Sequence, residues 1–161
     1  MKKIIILIPV YNDWDSLKKL IKEINDIIKD FNDINFECLI VNDCSTIPAP
    51  EIIKPNKIKS MEILNMRENR GHARCNAFGI RHIFQNKKFD NIILMDGDGE
   101  DRPVEIKDLL EKINKNPKVS VVAKRVKRSE GPLFQLLYQV HKFFLDSQPA
   151  LQLNLCHFLC T

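Results

Sequence analysis

Residues 3–13, KIIILIPVYND, set a β-branched and aliphatic run directly against a proline and a polar turn. The apolar stretch Ile4 to Val10 has no polar alternation, so it predicts a strand covered on both faces, as in a parallel sheet. It is far too short to span a bilayer and has no small-residue cleavage site after it, which excludes a transmembrane segment or signal peptide there and places the chain in the cytoplasm.

Outward from this stretch, strand and helix signals alternate. Residues 14–30 carry Leu17, Leu20, Ile21, Ile24, Ile27 and Ile28 at helical spacing behind the cap candidates Asp13 and Asp15. FECLIV (36–41) and SMEILN (60–65) predict a second and third strand, and NIILM (91–95) a fourth. Residues 71–86 predict a helix with Ala73, Ala77, Ile80, Ile83 and Phe84 on its apolar face. Residues 103–115 predict another, opening on Pro103 and carrying Ile106, Leu109, Leu110 and Ile113. KVSVVA (118–123) predicts a fifth strand. Such alternation implies an α/β fold, a mostly parallel sheet with helices on both faces, whose ligands sit beyond the carboxyl ends of the strands.

The composition, 44% hydrophobic and 29% charged over 161 residues, is that of a soluble globular chain. Five cysteines without a C-x-x-C pair point to a reducing compartment and away from zinc; Cys156, His157 and Cys160 lack a second half for a metal site. Residues 1–100 balance 15 basic against 15 acidic side chains, while 101–161 hold 10 against 6 and carry the whole net charge of +4. With no aromatic–basic interleaving, nucleic acid is not an expected partner. Lys124-Arg125-Val126-Lys127-Arg128 reads either as a solvated loop or as an anion site for diphosphate or lipid phosphate. From Leu133 to Leu145 apolar residues fill a wide arc, which fits a core helix or one lying on a membrane surface. The segment after Asp146 has no charged side chain and resembles an unfinished piece of fold, so the chain divides into a core (1–131) and an apolar, truncated acceptor-side tail (132–161).

The polar residues gather at the strand ends: Pro9-Val10-Tyr11-Asn12-Asp13, Asn42-Asp43-Cys44-Ser45-Thr46, Asn69-Arg70-Gly71, Asp96-Gly97-Asp98-Gly99-Glu100-Asp101, and the basic cluster. Parallel strands put all of these on one sheet edge. Gly97 and Gly99 flank Asp98, as in an ordinary turn or where a bulky diphosphate needs room. Asp96 and Asp98, with Glu100 and Asp101, concentrate like charge that makes sense if a hard divalent cation such as Mg2+ or Mn2+ sits among them, its shell completed by phosphate oxygens and water.

In order and spacing, IPVYND (8–13), VNDCST (41–46), NRGHARCNAFGI (69–80), ILMDGDGEDRP (93–103) and KRVKR (124–128) resemble the motif series of glycosyltransferase family 2, and most closely its polyprenyl-phosphate branch. The resemblance covers residues 3–131 and implies a GT-A fold, a Rossmann-like three-layer α/β/α arrangement, and a nucleoside-diphosphate-sugar donor. It further implies that Pro9, Tyr11 and Asp13 line the nucleotide pocket, that Val41 and Asp43 meet the base or ribose, and that Asp96 and Gly97 touch the nucleotide sugar. Asp98 is then the metal ligand, Glu100 stands beside the metal, and Arg125 lies near the diphosphate. Asn42, Cys44 and Ile47 depart from the commoner aspartate, glycine and aspartate at those places.

The expected chemistry is an inverting displacement at the anomeric carbon, with the leaving diphosphate stabilised by metal and by Arg125. A hydroxyl acceptor would require a protein base, for which the sequence offers no clear candidate. A polyprenyl phosphate is already a nucleophile, which favours it as acceptor at the cytoplasmic face of a membrane, in envelope glycan assembly. The alternatives are a catalytically incomplete nucleotide-sugar-binding fragment, supported by the apolar tail, and a sugar nucleotidyltransferase. The latter usually has a glycine-rich basic loop after strand one, absent from residues 9–13.

Overall fold

The structure, a computed structural model, describes residues 1–51, 54–115 and 120–121. All of these belong to the first of two units into which the chain divides, Met1–Val122. Seven elements follow one another: β1 (Lys2–Val10), α1 (Trp14–Ile28), β2 (Ile34–Asn42), β3 (Ile58–Asn65), α2 (His72–Asn86), β4 (Asn91–Leu94) and α3 (Glu105–Lys115).

The four strands form one sheet in the order β3-β2-β1-β4, and every pairing is parallel. β1 is central and its register fixes the others: Val10 faces Asn42, and Leu7 faces Leu94. Asn42 in turn faces Asn65, so the strand ends that carry the motifs come level on one edge. Ile4 through Ile8 are 0% exposed, which explains why this strand lacks polar alternation: helices cover both of its faces.

The two faces are distinct apolar layers. Ile4, Ile6 and Ile8 pack with Phe36, Cys38 and Ile40 against Leu17, Leu20, Ile21, Ile24 and Ile28 of α1 and Ile106 and Leu110 of α3. Ile5, Leu7, Leu39 and Val41 pack on the other side against Cys75 and Ile83 of α2. This is the three-layer α/β/α arrangement. The ends of α1 and α3 follow helix electrostatics: Asp13 caps α1 by accepting the Ser16 N–H at 3.2 Å, while α3 has Glu105 and Asp108 in its first turn and Lys112 and Lys115 in its last.

One expected helix face is corrected. Of the expected apolar face, Ile83 is buried and Ile80 packs half-buried beside it, whereas Ala73, Ala77 and Phe84 are exposed, Phe84 by 68%; Cys75 and Gly79 complete the buried stripe instead. Close approach decides the matter. A Cβ at Gly79 would stand 2.5 Å from Leu7 Cδ1 and 3.0 Å from Val41 Cγ2, so the smallest residue lets the helix axis settle onto the sheet. Hydrophobicity finds only part of the face when a glycine and a cysteine complete the contact. The fifth expected strand, 118–123, lies outside the described residues except for Ser120 and Val121, neither of which is in a strand.

Candidate functional site

Because the sheet is parallel, the loops after β1, β2 and β4 and the start of α2 meet at its carboxyl edge. They enclose a cavity of about 270 Å³ lined by Pro9, Val10, Tyr11, Asp13, Asp43, His72, Cys75, Asp96, Gly97 and Asp98. Its volume is just below the roughly 300–1,000 Å³ common for small-molecule sites. Four carboxylates from three loops, Asp13, Asp43 and the pair Asp96 and Asp98, face one space.

Each loop is held by identifiable bonds. Asp43, 4% exposed, accepts the Arg70 N–H on Oδ1 and the Gly71 N–H on Oδ2, both at 2.8 Å. This carboxylate therefore ties the β2 end to the start of α2, and each of its oxygens retains lone-pair capacity for a ligand hydroxyl. Asn42 replaces an aspartate without loss of order: its Nδ2 donates to Asn65 Oδ1 at 2.8 Å and its Oδ1 accepts the Ser45 N–H at 2.9 Å. Cys44, where the family pattern has glycine, takes a left-handed φ of 57°, a conformation glycine would adopt at lower cost.

The acidic loop is ordered from within. The Asp96 N–H donates to Asp101 Oδ2 at 2.8 Å, and the Glu100 N–H donates to Asp98 Oδ1 at 2.9 Å. Gly97 has a packing reason to be small beside the one its sequence suggests. A Cβ there would lie 2.7 Å from the carbonyl oxygen of Pro9, so the glycine admits the neighbouring strand end and not only a ligand. Asp101 is thus a loop-closing residue, and the negative cluster is partly consumed by its own backbone.

Of the residues expected at the site, Pro9, Tyr11, Asp13, Asp43, Asp96, Gly97 and Asp98 line the cavity. Val41 and Glu100 do not: Val41 is wholly buried against α2, and Glu100 is exposed. Arg125 lies outside the described residues. Tyr11 stands at the rim, 48% exposed, with ring area available to a planar ligand.

The sequence reading missed His72 and Cys75, whose only signal was their place in NRGHARCNAFGI beside a strand end. His72 Nε2 lies 3.3 Å from Asp96 Oδ1 and 2.9 Å from the Asn76 amide nitrogen, so the first turn of α2 is linked to the acidic loop. Burial, aided by the charge of Asp43, pushes the Cys75 thiol up to about 12. Its Sγ donates to the Val41 carbonyl at 3.4 Å. Cys75 is therefore a neutral wall residue and not a nucleophile.

Asp96 and Asp98 offer hard carboxylate oxygens at the cavity, a donor set that fits Mg2+ or Mn2+ with phosphate and water completing the shell. Among the described residues, no group of three or more His, Cys, Asp or Glu side chains is arranged to hold a metal by itself.

Comparison with solved structures shows the same fold in TarS of S. aureus. The TarS crystal structure matches with a TM-score of 0.57 at 20% identity, over 80% of this chain and 23% of that one. TarS 1-349 in complex with UDP-GlcNAc matches with a TM-score of 0.57 at 21% identity, over 80% of this chain and 38% of that one. TarS 1-349 in complex with UDP gives 0.52 at 22% identity, over 80% and 39%. The chain thus spans less than two fifths of the length of these proteins. Comparison with curated proteins gave no match. The profile described as glycosyl transferase family 2 matches residues 5–160, nearly the whole sequence. With a parallel sheet of GT-A type and the strand-end residues gathered at its carboxyl edge, that match makes the chain a member of glycosyl transferase family 2.

Proposed function

We propose that the cavity binds a nucleoside-diphosphate sugar, and that the protein transfers the sugar with inversion to a polyprenyl phosphate or another cell-envelope glycan acceptor. The observation that carries this reading is the meeting of Tyr11, Asp13, Asp43, Asp96 and Asp98 around one cavity from three separate strand ends. Tyr11 offers a ring to the base and Asp43 a prepositioned acceptor to a ribose hydroxyl. Asp96 and Asp98 face the region where the diphosphate lies when the base occupies the β1–β2 side.

In the reaction an acceptor oxygen forms a bond to the anomeric carbon while the bond to the diphosphate breaks, its electron pair leaving with the phosphate. Mg2+ or Mn2+ held by Asp98, with Asp96 beside it, would neutralise that developing charge. The carboxylates orient the donor.

The polyprenyl-phosphate acceptor is favoured by chemistry: an anionic phosphate needs no base to attack, and the sequence supplies a basic cluster at 124–128 followed by the apolar stretch 133–145. This would place the enzyme at the cytoplasmic face of a membrane. TarS 1-349 is solved with UDP-GlcNAc and with UDP, so UDP sugars are the first donors to test. The decisive experiment offers labelled UDP and GDP sugars with manganese to the 161-residue chain, and compares polyprenyl phosphate with hydroxyl acceptors. Donor binding is the expected result, with any transferred label appearing in lipid. Transfer to hydroxyl acceptors in preference to lipid phosphate would remove the acceptor assignment, and no binding of any nucleoside diphosphate would remove the whole reading.

A further inference from the structure

We propose that Asn12 is a positioning residue for the nucleotide cavity, clasping the loop after β2 onto the loop after β1 and thereby fixing Tyr11 and Asp13 at the cavity wall. The proposal rests on the reading of that cavity as a nucleotide site.

Asn12 lies between two cavity residues without lining the cavity itself. Its backbone takes a left-handed φ of 61°, which asparagine tolerates better than most residues. Its N–H donates to Ser45 Oγ at 2.9 Å. Its Oδ1 accepts from the Thr46 N–H at 2.8 Å, the Thr46 hydroxyl at 3.2 Å and the Ile47 N–H at 3.0 Å. Two residues later in the same turn region, Trp14, 4% exposed, donates its indole N–H to the Ile47 carbonyl at 2.9 Å.

These bonds join positions more than 30 residues apart, where chain connectivity imposes nothing on the relative placement of the loops. Three donors converge on the single Oδ1, so that oxygen is spent on the protein and is not available to a ligand. What it does is hold still the turn that carries Tyr11 on one side and Asp13 on the other. It also holds the segment that leaves Asp43. A binding wall ordered before the ligand arrives spares the ligand the entropy of ordering it.

Side-chain chemistry separates the variants. Asn12→Asp keeps an acceptor oxygen and tolerance of φ > 0; Asn12→Gly keeps the backbone conformation and deletes the acceptor; Ser45→Ala deletes only the partner of the Asn12 N–H. Trp14 is the one tryptophan of the chain and is bonded to the clasped segment, so its emission reports the clasp directly.

The test measures UDP affinity by calorimetry, well below each melting temperature, and Trp14 emission in the unliganded full chain. Asn12→Gly is expected to weaken UDP binding about tenfold and to red-shift Trp14, as the loss of several such bonds implies. Asn12→Asp is expected to stay within about threefold of wild type with unchanged emission, and Ser45→Ala to fall between the two. If Asn12→Gly is folded and lowers only the melting temperature, with UDP affinity and emission unchanged, Asn12 serves stability alone and the proposal is wrong. Where Asn12→Gly does not fold, Ser45→Ala decides: wild-type affinity and emission in that variant overturn the proposal. Failure of the wild-type chain to bind UDP or any other nucleoside diphosphate overturns the site reading instead, a result separable from either variant outcome.

Discussion

Asp98 carries the sharpest consequence at the scale of the residue. It lines the cavity and accepts the Glu100 N–H on one oxygen. Manganese is expected to strengthen binding of a nucleoside diphosphate, and Asp98→Asn to remove most of that gain, about tenfold or more, since even groups one step removed from a metal contribute on that scale. Calorimetry with manganese and with chelator checks this; identical affinity in all four combinations would leave the carboxylate pair as a turn and nothing more. Glu100 was a natural companion ligand by sequence, yet it is outside the cavity lining, and it is its backbone N–H that reaches Asp98. A motif names residue types; which way a turn throws each side chain depends on bonds such as Asp101 to the Asp96 N–H, which no spacing rule contains.

Among the elements, α2 departs furthest from its expected packing. Its contact with the sheet runs through Cys75, Gly79 and Ile83, and Gly79 is where the helix comes closest. Gly79→Ala adds a Cβ that meets buried Leu7 and Val41, so overpacking of about 1–3 kcal/mol outweighs the roughly 1 kcal/mol gain in helix propensity. Ala77→Ser, on the exposed face, should stay within about 0.5 kcal/mol of wild type. Urea unfolding of the two variants measures both. Equal stability of Gly79→Ala and wild type would mean that the sheet yields at Leu7 and that close approach does not set the helix position. The consequence reaches function, because the first turn of α2 carries His72 and receives Asp43; a displaced helix displaces the cavity wall.

For the molecule as a whole, stability should depend on alkaline pH through two buried thiols. Burial pushes Cys38 and Cys75 up to about 12, from an ordinary value of 9.0. Both are neutral in the folded state across the range where the unfolded chain ionises. Their contribution is therefore complete below about pH 9 and is lost as pH rises from there towards 12, on the order of a few kcal/mol in all. Urea midpoints between pH 8 and 11 should fall less steeply in Cys38→Ala than in wild type; parallel curves would show that Cys38 ionises as easily folded as unfolded. The same chain shows how far a sequence reaches by itself. Unbroken apolar runs and helical spacing determined the four described strands, their alternation with helices and hence the parallel sheet, because burial on two faces leaves a one-dimensional trace in residue type. Parallel topology then placed the strand-end motifs on one edge, so Tyr11, Asp43, Asp96 and Asp98 could be brought together on paper. Only the tertiary structure decided that α2 packs through glycine and cysteine, that His72 and Cys75 join the cavity while Val41 turns into the core, and that Asn12 links loops remote in sequence. Those outcomes rest on close approach and on hydrogen bonds between distant residues, and neither leaves a periodic signal along the chain.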